Sequence, residues 1–181
     1  MVVAGVEPLD LPLLRLARHG QRVLDLCDLL EAIADDLPRK TMPVWREVAQ
    51  LCGTIVPRHY DTLNRIFLPL LRRRTAGDVE CEAVLTRLET EYSDSSHRLP
   101  ELVSLLHDTV NNSPPGIDTE ALGFALRGFF EAIRRQMAWE MDVLIPLARR
   151  RLTREDLDEL VSSFARHAVV PMGRDPAGGT R

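Results

Sequence analysis

A chain of 181 residues with 23 basic and 27 acidic side chains, a net charge of -4 and 45% hydrophobic residues is long enough for one domain with a sizeable core and short for two. The negative balance lacks the general phosphate attraction behind non-specific nucleic-acid binding, and no apolar run approaches the roughly 20 residues that cross a bilayer. Neither nucleic acid nor membrane is therefore an expected partner. The first residues, MVVAGVEPLDLPLL, carry no Lys or Arg ahead of their apolar positions and include Glu7 and Asp10; the three cysteines, Cys27, Cys52 and Cys81, stand far apart without CxxC spacing. The expectation is a cytoplasmic chain without a secretory signal, whose thiols act as small hydrophobes rather than as disulfides or zinc ligands.

Apolar residues recur at three and four in four long segments, which is helical periodicity. The first runs from about Leu11 to Asp36, with Leu13, Leu16, His19, Val23, Leu26, Leu30 and Ile33 on one face, and Leu37-Pro38 ends it. The second begins near Thr41-Met42-Pro43, with Thr41 as a cap, and aligns Trp45, Val48, Cys52, Ile55, His59, Leu63, Ile66 and Leu70 before closing on Arg72-Arg73-Arg74. A third, from about Asp78 to Val110, sets Cys81, Leu85, Leu88, Tyr92, Ser95, Leu99, Leu102 and Leu106 in phase, with Pro100 as an expected kink. Asn111 to Gly116 reads as a loop. The fourth segment starts after Asp118 and carries Leu122, Ala125, Phe129, Ala132, Gln136, Glu140, Val143 and Leu147. A shorter fifth helix follows Thr153, which can cap it, with Glu155 and Asp156 in its first turn and Leu157, Leu160 and Phe164 as its apolar face. Nothing reads as a strand. The expected fold is all-α, an antiparallel four-helix bundle with an additional C-terminal helix over residues 1–170, followed by a flexible tail from Pro171 to Arg181.

An internal repeat supports this reading. Phe67 to Thr75, FLPLLRRRT, is echoed by Leu144 to Leu152, LIPLARRRL. Aligning Pro69 with Pro146 pairs His59 with Gln136 and Leu63 with Glu140. The stripes that should be apolar thus carry His19, His59, Tyr92, Gln136 and Glu140, each near the middle of its helix, so they are expected to converge on one polar centre. A buried Glu140 anion would cost several kcal/mol unless hydrogen bonds or a cation compensate it. An alternative register of the second helix turns Tyr60 and Asn64 inward in place of His59 and Leu63, at the cost of breaking the stripe and the repeat.

Gln136-Met-Ala-Trp-Glu140 running into Val143-Leu-Ile-Pro-Leu-Ala-Arg-Arg-Arg-Leu152, Leu16-Ala-Arg-His19, His59 ten residues ahead of Pro69, and Leu88-Glu-Thr-Glu-Tyr92 together resemble the helices of hemerythrin-like (HHE cation-binding) domains. The resemblance covers about residues 11 to 152. It implies a non-haem iron centre inside the bundle that binds or reacts with O2, NO or peroxide. The family's ligands are a His on the first helix, His-x-x-x-Glu on the second, one or two His on the third and a His followed by a carboxylate on the fourth. His19, His59 and Glu140 match that pattern; Leu63, Tyr92 and Gln136 stand where a Glu and two His are usual.

What survives is both histidines of one iron and one formerly bridging carboxylate. The resemblance therefore implies a degenerate di-iron site reduced to one mononuclear iron on His19, His59 and Glu140, with Tyr92, Gln136, Leu63 and Trp139 around it. Such a site would serve a small oxidant or an unknown substrate in an oxidase-like or oxygenase-like reaction. The alternative is a pseudo-site, in which the same residues form a metal-free hydrogen-bonded network in a regulatory or protein-interaction bundle. Elsewhere, His97, His107 and His167 read as surface or partly buried histidines. Trp45 and Trp139 read as packing residues, with Trp139 able to shield the centre from water. The two Arg triplets read as solvated helix ends, and Glu155, Asp156, Asp158 and Glu159 as the solvated face of the last helix.

Overall fold

The computed structural model describes residues 11–37, 42–111 and 119–168. They form α1 (Leu11–Asp35), α2 (Met42–Thr62), α3 (Leu68–Arg74), α4 (Val79–Asn111), α5 (Thr119–Trp139), α6 (Ile145–Arg151) and α7 (Arg154–Ala168). Two π-helical turns, Leu63–Phe67 and Glu140–Leu144, join α2 to α3 and α5 to α6. The described residues contain no strand, so the chain is all-α, and none of their helices is long and apolar enough to cross a membrane. The Thr41 cap, the Pro38 stop, the loop from Asn112 to Gly116, the amino-terminal residues before Leu11, the tail from Pro171 and the side chain of His167 lie outside the described part.

α1 packs against α2 and α5, and α4 packs against the same two helices, so one core is enclosed between them. Its members recur at three and four along every rod: Leu13, Leu16, Val23, Leu26, Leu30 and Ile33 on α1, Leu85, Leu88, Tyr92, Leu99, Leu102 and Leu106 on α4. On α2 and α5 the buried face is wider than a single stripe. Val56, Tyr60, Leu126, Phe130, Ile133 and Met137 are fully inside, whereas Ile55, Ala125 and Ala132 lie only half-buried beside it. α4 runs through Pro100 as one helix. Between α3 and α4 the chain reverses at Gly77, whose φ of 86° is a conformation that side-chain-bearing residues rarely adopt. Asp78 then caps α4 by accepting from the Cys81 amide at 3.2 Å.

α7 begins as expected, with a reciprocal cap: the Thr153 amide donates to Asp156 Oδ2 at 2.8 Å and the Asp156 amide reaches the Thr153 hydroxyl at 3.4 Å. Leu157, Leu160 and Phe164 are buried beneath it. Two surface expectations are corrected here. Asp156 belongs to the interior, 1% exposed, because Arg73 Nη2 and Arg74 Nε each grip it at 2.7 Å. The first Arg triplet is accordingly a clamp and not a solvated end: Arg72 ties α3 to Glu82 and Glu89 of α4 while Arg73 and Arg74 tie it to α7.

Candidate functional site: a buried polar centre

The repeat has a structural counterpart. Both π turns begin six residues before a proline, at Leu63 before Pro69 and at Glu140 before Pro146. A proline has no N–H to donate, and its ring presses on the carbonyl four residues earlier. The chain responds by widening one turn, so that the Leu68 amide bonds to the Leu63 carbonyl and the Ile145 amide to the Glu140 carbonyl, five residues back instead of four. Glu140 opens the wide turn between α5 and α6 and Leu63 opens the one between α2 and α3, both buried.

The centre is built from α2, α4 and the rod containing α5. Tyr92 donates its hydroxyl to Glu140 Oε1 at 2.7 Å, and His59 Nε2 lies 2.9 Å from Oε2 of the same carboxylate. Tyr60 donates to Gln136 Oε1 at 2.5 Å. The Gln136 amide nitrogen donates in turn to the Glu91 carbonyl at 2.9 Å and the Ser95 hydroxyl at 2.7 Å. The tyrosine rings join the two halves, their centroids 5.0 Å apart. His59, Tyr60, Tyr92, Ser95, Gln136 and Glu140 are all at most 5% exposed. Of these, His59, Tyr92, Gln136 and Glu140 are where the sequence reading put them.

Burial, reinforced at Tyr92 by the adjacent Glu140 carboxylate, pushes both phenols well above their ordinary range. Both tyrosines therefore stay protonated and act as donors. His59 makes its contact with Glu140 through Nε2. Its Nδ1 is buried with no hydrogen-bond partner among the described residues. In a neutral ring that donates from Nε2 this atom is a bare lone pair, which is less costly to bury than an unpaired N–H.

His19 stands apart from this arrangement. It is half-buried on the edge of α1, where Gly20 and not His19 faces inward, and its ring meets the edge of Phe164 on α7 with centroids 5.8 Å apart. Burial lowers its pKa, and the neighbouring His59, Arg22, Arg15 and Arg58 lower it further. Leu63 is fully buried beside the centre's own helix turn, with Asn64 exposed, so that part of the expected register is observed. Trp139 is half-buried with Arg87 of α4 5.1 Å over its ring. His97 is exposed and His107 half-buried.

Among the described residues, no three His, Cys, Asp or Glu side chains converge as a metal cradle. Both Glu140 oxygens and His59 Nε2 are engaged with protein groups, and His19 is turned toward Phe164. The donor set of His19, His59 and Glu140 thus does not fit a three-ligand iron site in this arrangement.

Two members of the network were not among the expected site residues. Tyr60 belonged to the alternative register, yet it is inside together with His59, because adjacent residues can share a wide helix face where a helix packs against more than one neighbour. Ser95 was visible as a polar residue in the apolar phase of the third segment. The remaining thiols behave as hydrophobes: Cys27 and Cys52 are buried, which pushes both up to about 12, while Cys81 is half-buried. The chain matches no family model and no curated protein sequence.

Proposed function

We propose that this chain is a hemerythrin-like four-helix bundle whose former metal centre has become a metal-free hydrogen-bonded core, and that it works as a regulatory or interaction module. The supporting observation is the closure of the donors on one another. Tyr92 and His59 occupy the two oxygens of Glu140, and Tyr60, Ser95 and the Glu91 carbonyl occupy Gln136. Substituted positions take part in this closure: Tyr92 donates a hydrogen bond to the carboxylate where the family has a histidine, and Gln136 supplies both a donor and an acceptor. A phenol and an amide satisfy a buried carboxylate and its neighbours without a cation.

The experiment is elemental analysis of iron, manganese and zinc per chain, on protein purified without chelator and again after anaerobic Fe(II) loading. The expected result is far below one metal per chain in both, and a melting temperature insensitive to chelator. About one iron per chain, lost in His19→Ala and in His59→Ala, would instead establish the mononuclear site on His19, His59 and Glu140 and its small-oxidant chemistry.

A further inference from the structure

We infer that the outer face of α1 carries a binding site for a small soluble phosphoryl anion, formed by Arg15, Arg18 and Arg22 around His19. Helical spacing puts these residues on one side of α1, since positions i, i+3, i+4 and i+7 share a face. Together with Leu11 and Leu14 they line an open groove of about 410 Å³, within the size range of small-molecule sites.

Eight arginines elsewhere in the chain, Arg65, Arg72, Arg73, Arg74, Arg87, Arg127, Arg134 and Arg151, are already committed to carboxylates. Among the described residues, no carboxylate pairs with Arg15, Arg18 or Arg22, nor with Arg58 of α2, whose charge reaches His19 as well. One of the three is already held in place: the Arg15 guanidinium lies 4.9 Å over the Phe164 ring, and the same ring braces His19. A guanidinium stacked on an aromatic face loses less freedom when a ligand arrives.

Three guanidinium forks on one helix face, lining one groove, suit a compact, multiply charged oxyanion, which a fork can grip through two parallel hydrogen bonds. A single carboxylate has too little charge for three. Extended polyanions and anionic membranes would also meet the rest of a chain whose net charge is -4 overall. The inference is independent of what occupies the polar centre.

The test is a titration of the full chain with inorganic pyrophosphate at low salt, followed by amide NMR shifts. Saturable shifts concentrated at residues 15 to 22 are expected. Arg18→Ala/Arg22→Ala should weaken binding about tenfold or more. Both side chains are exposed and free of hydrogen bonds to described residues, so the variant should melt as the parent does. Arg98→Ala, an exposed arginine on α4, should leave binding unchanged. The inference is overturned by the absence of saturable shifts, by equal affinity in the double variant, or by binding seen only with vesicles of anionic phospholipid.

Discussion

His59 and Glu140, 81 residues apart in the chain, meet at 2.9 Å in the interior with side chains 1% and 4% exposed. Each has been drawn out of water and is compensated chiefly by the other and by Tyr92. Removing one partner therefore strands the other, while removing both leaves a hydrophobic contact.

A double-mutant cycle measures this coupling. His59→Leu and Glu140→Leu are each expected to cost about 1–3 kcal/mol or somewhat more, because buried polar partners are left unsatisfied, and the double variant less than their sum by about 0.5–3 kcal/mol. Denaturant unfolding of the four proteins is the measurement. Additive losses would mean that the two residues do not depend on each other.

The chain has two tyrosines, Tyr60 and Tyr92, both buried donors whose pKa values are raised. The folded state keeps its phenolic protons where the unfolded chain loses them, at about pH 10. Stability contributed by these groups is complete below that pH and falls as pH rises above it. Absorbance at the phenolate band should stay flat through pH 10 and then rise together with the loss of helical signal. Smooth ionisation of either tyrosine near pH 10 in folded protein would contradict the donor assignment.

Asp156 gives the opposite dependence. Burial works against its anion, but hydrogen bonds from Arg74, the Thr153 amide, Arg73 and the Thr153 hydroxyl outweigh that and hold its carboxyl well below the usual range. Its contribution is present above the unfolded value of about 3.9 and is lost as pH falls through the depressed folded value. Asp156→Asn should cost about 2–3 kcal/mol at neutral pH through the weakened cap and clamp. Melting temperatures of parent and variant are expected to differ steadily above about pH 5 and to converge under strong acid.

Thiol chemistry reads the core directly. Cys27 and Cys52 are 1% and 0% exposed, with thiols pushed up to about 12. An aromatic disulfide reagent at pH 8 should titrate Cys81 alone in folded protein, slowly because its thiol is also raised, first by burial and then by Asp78. All three should react in denaturant. Fast reaction of more than one thiol in the native protein would mean that α1 or α2 opens readily.

The helices, the repeat and the polar positions on the inner faces were legible in the sequence because each is a local property. Periodicity sets which residues share a face, and the paired prolines mark equivalent points on two hairpins. His59, Tyr92, Gln136 and Glu140 interrupt apolar stripes, so their burial could be read without coordinates. Three matters were decided only in three dimensions. Tyr60 is inside beside His59 because the face that α2 buries is wider than one stripe, and the width depends on how many neighbours a helix has. Asp156 is interior because arginines more than 80 positions away close over it, a pairing that no local pattern encodes. His19 sits at the margin against Phe164, since a residue at the border of a stripe is turned in or out by the neighbour that happens to pack there. Periodicity ranks positions by direction around a helix axis, but which atoms meet depends on the relative placement of separate helices.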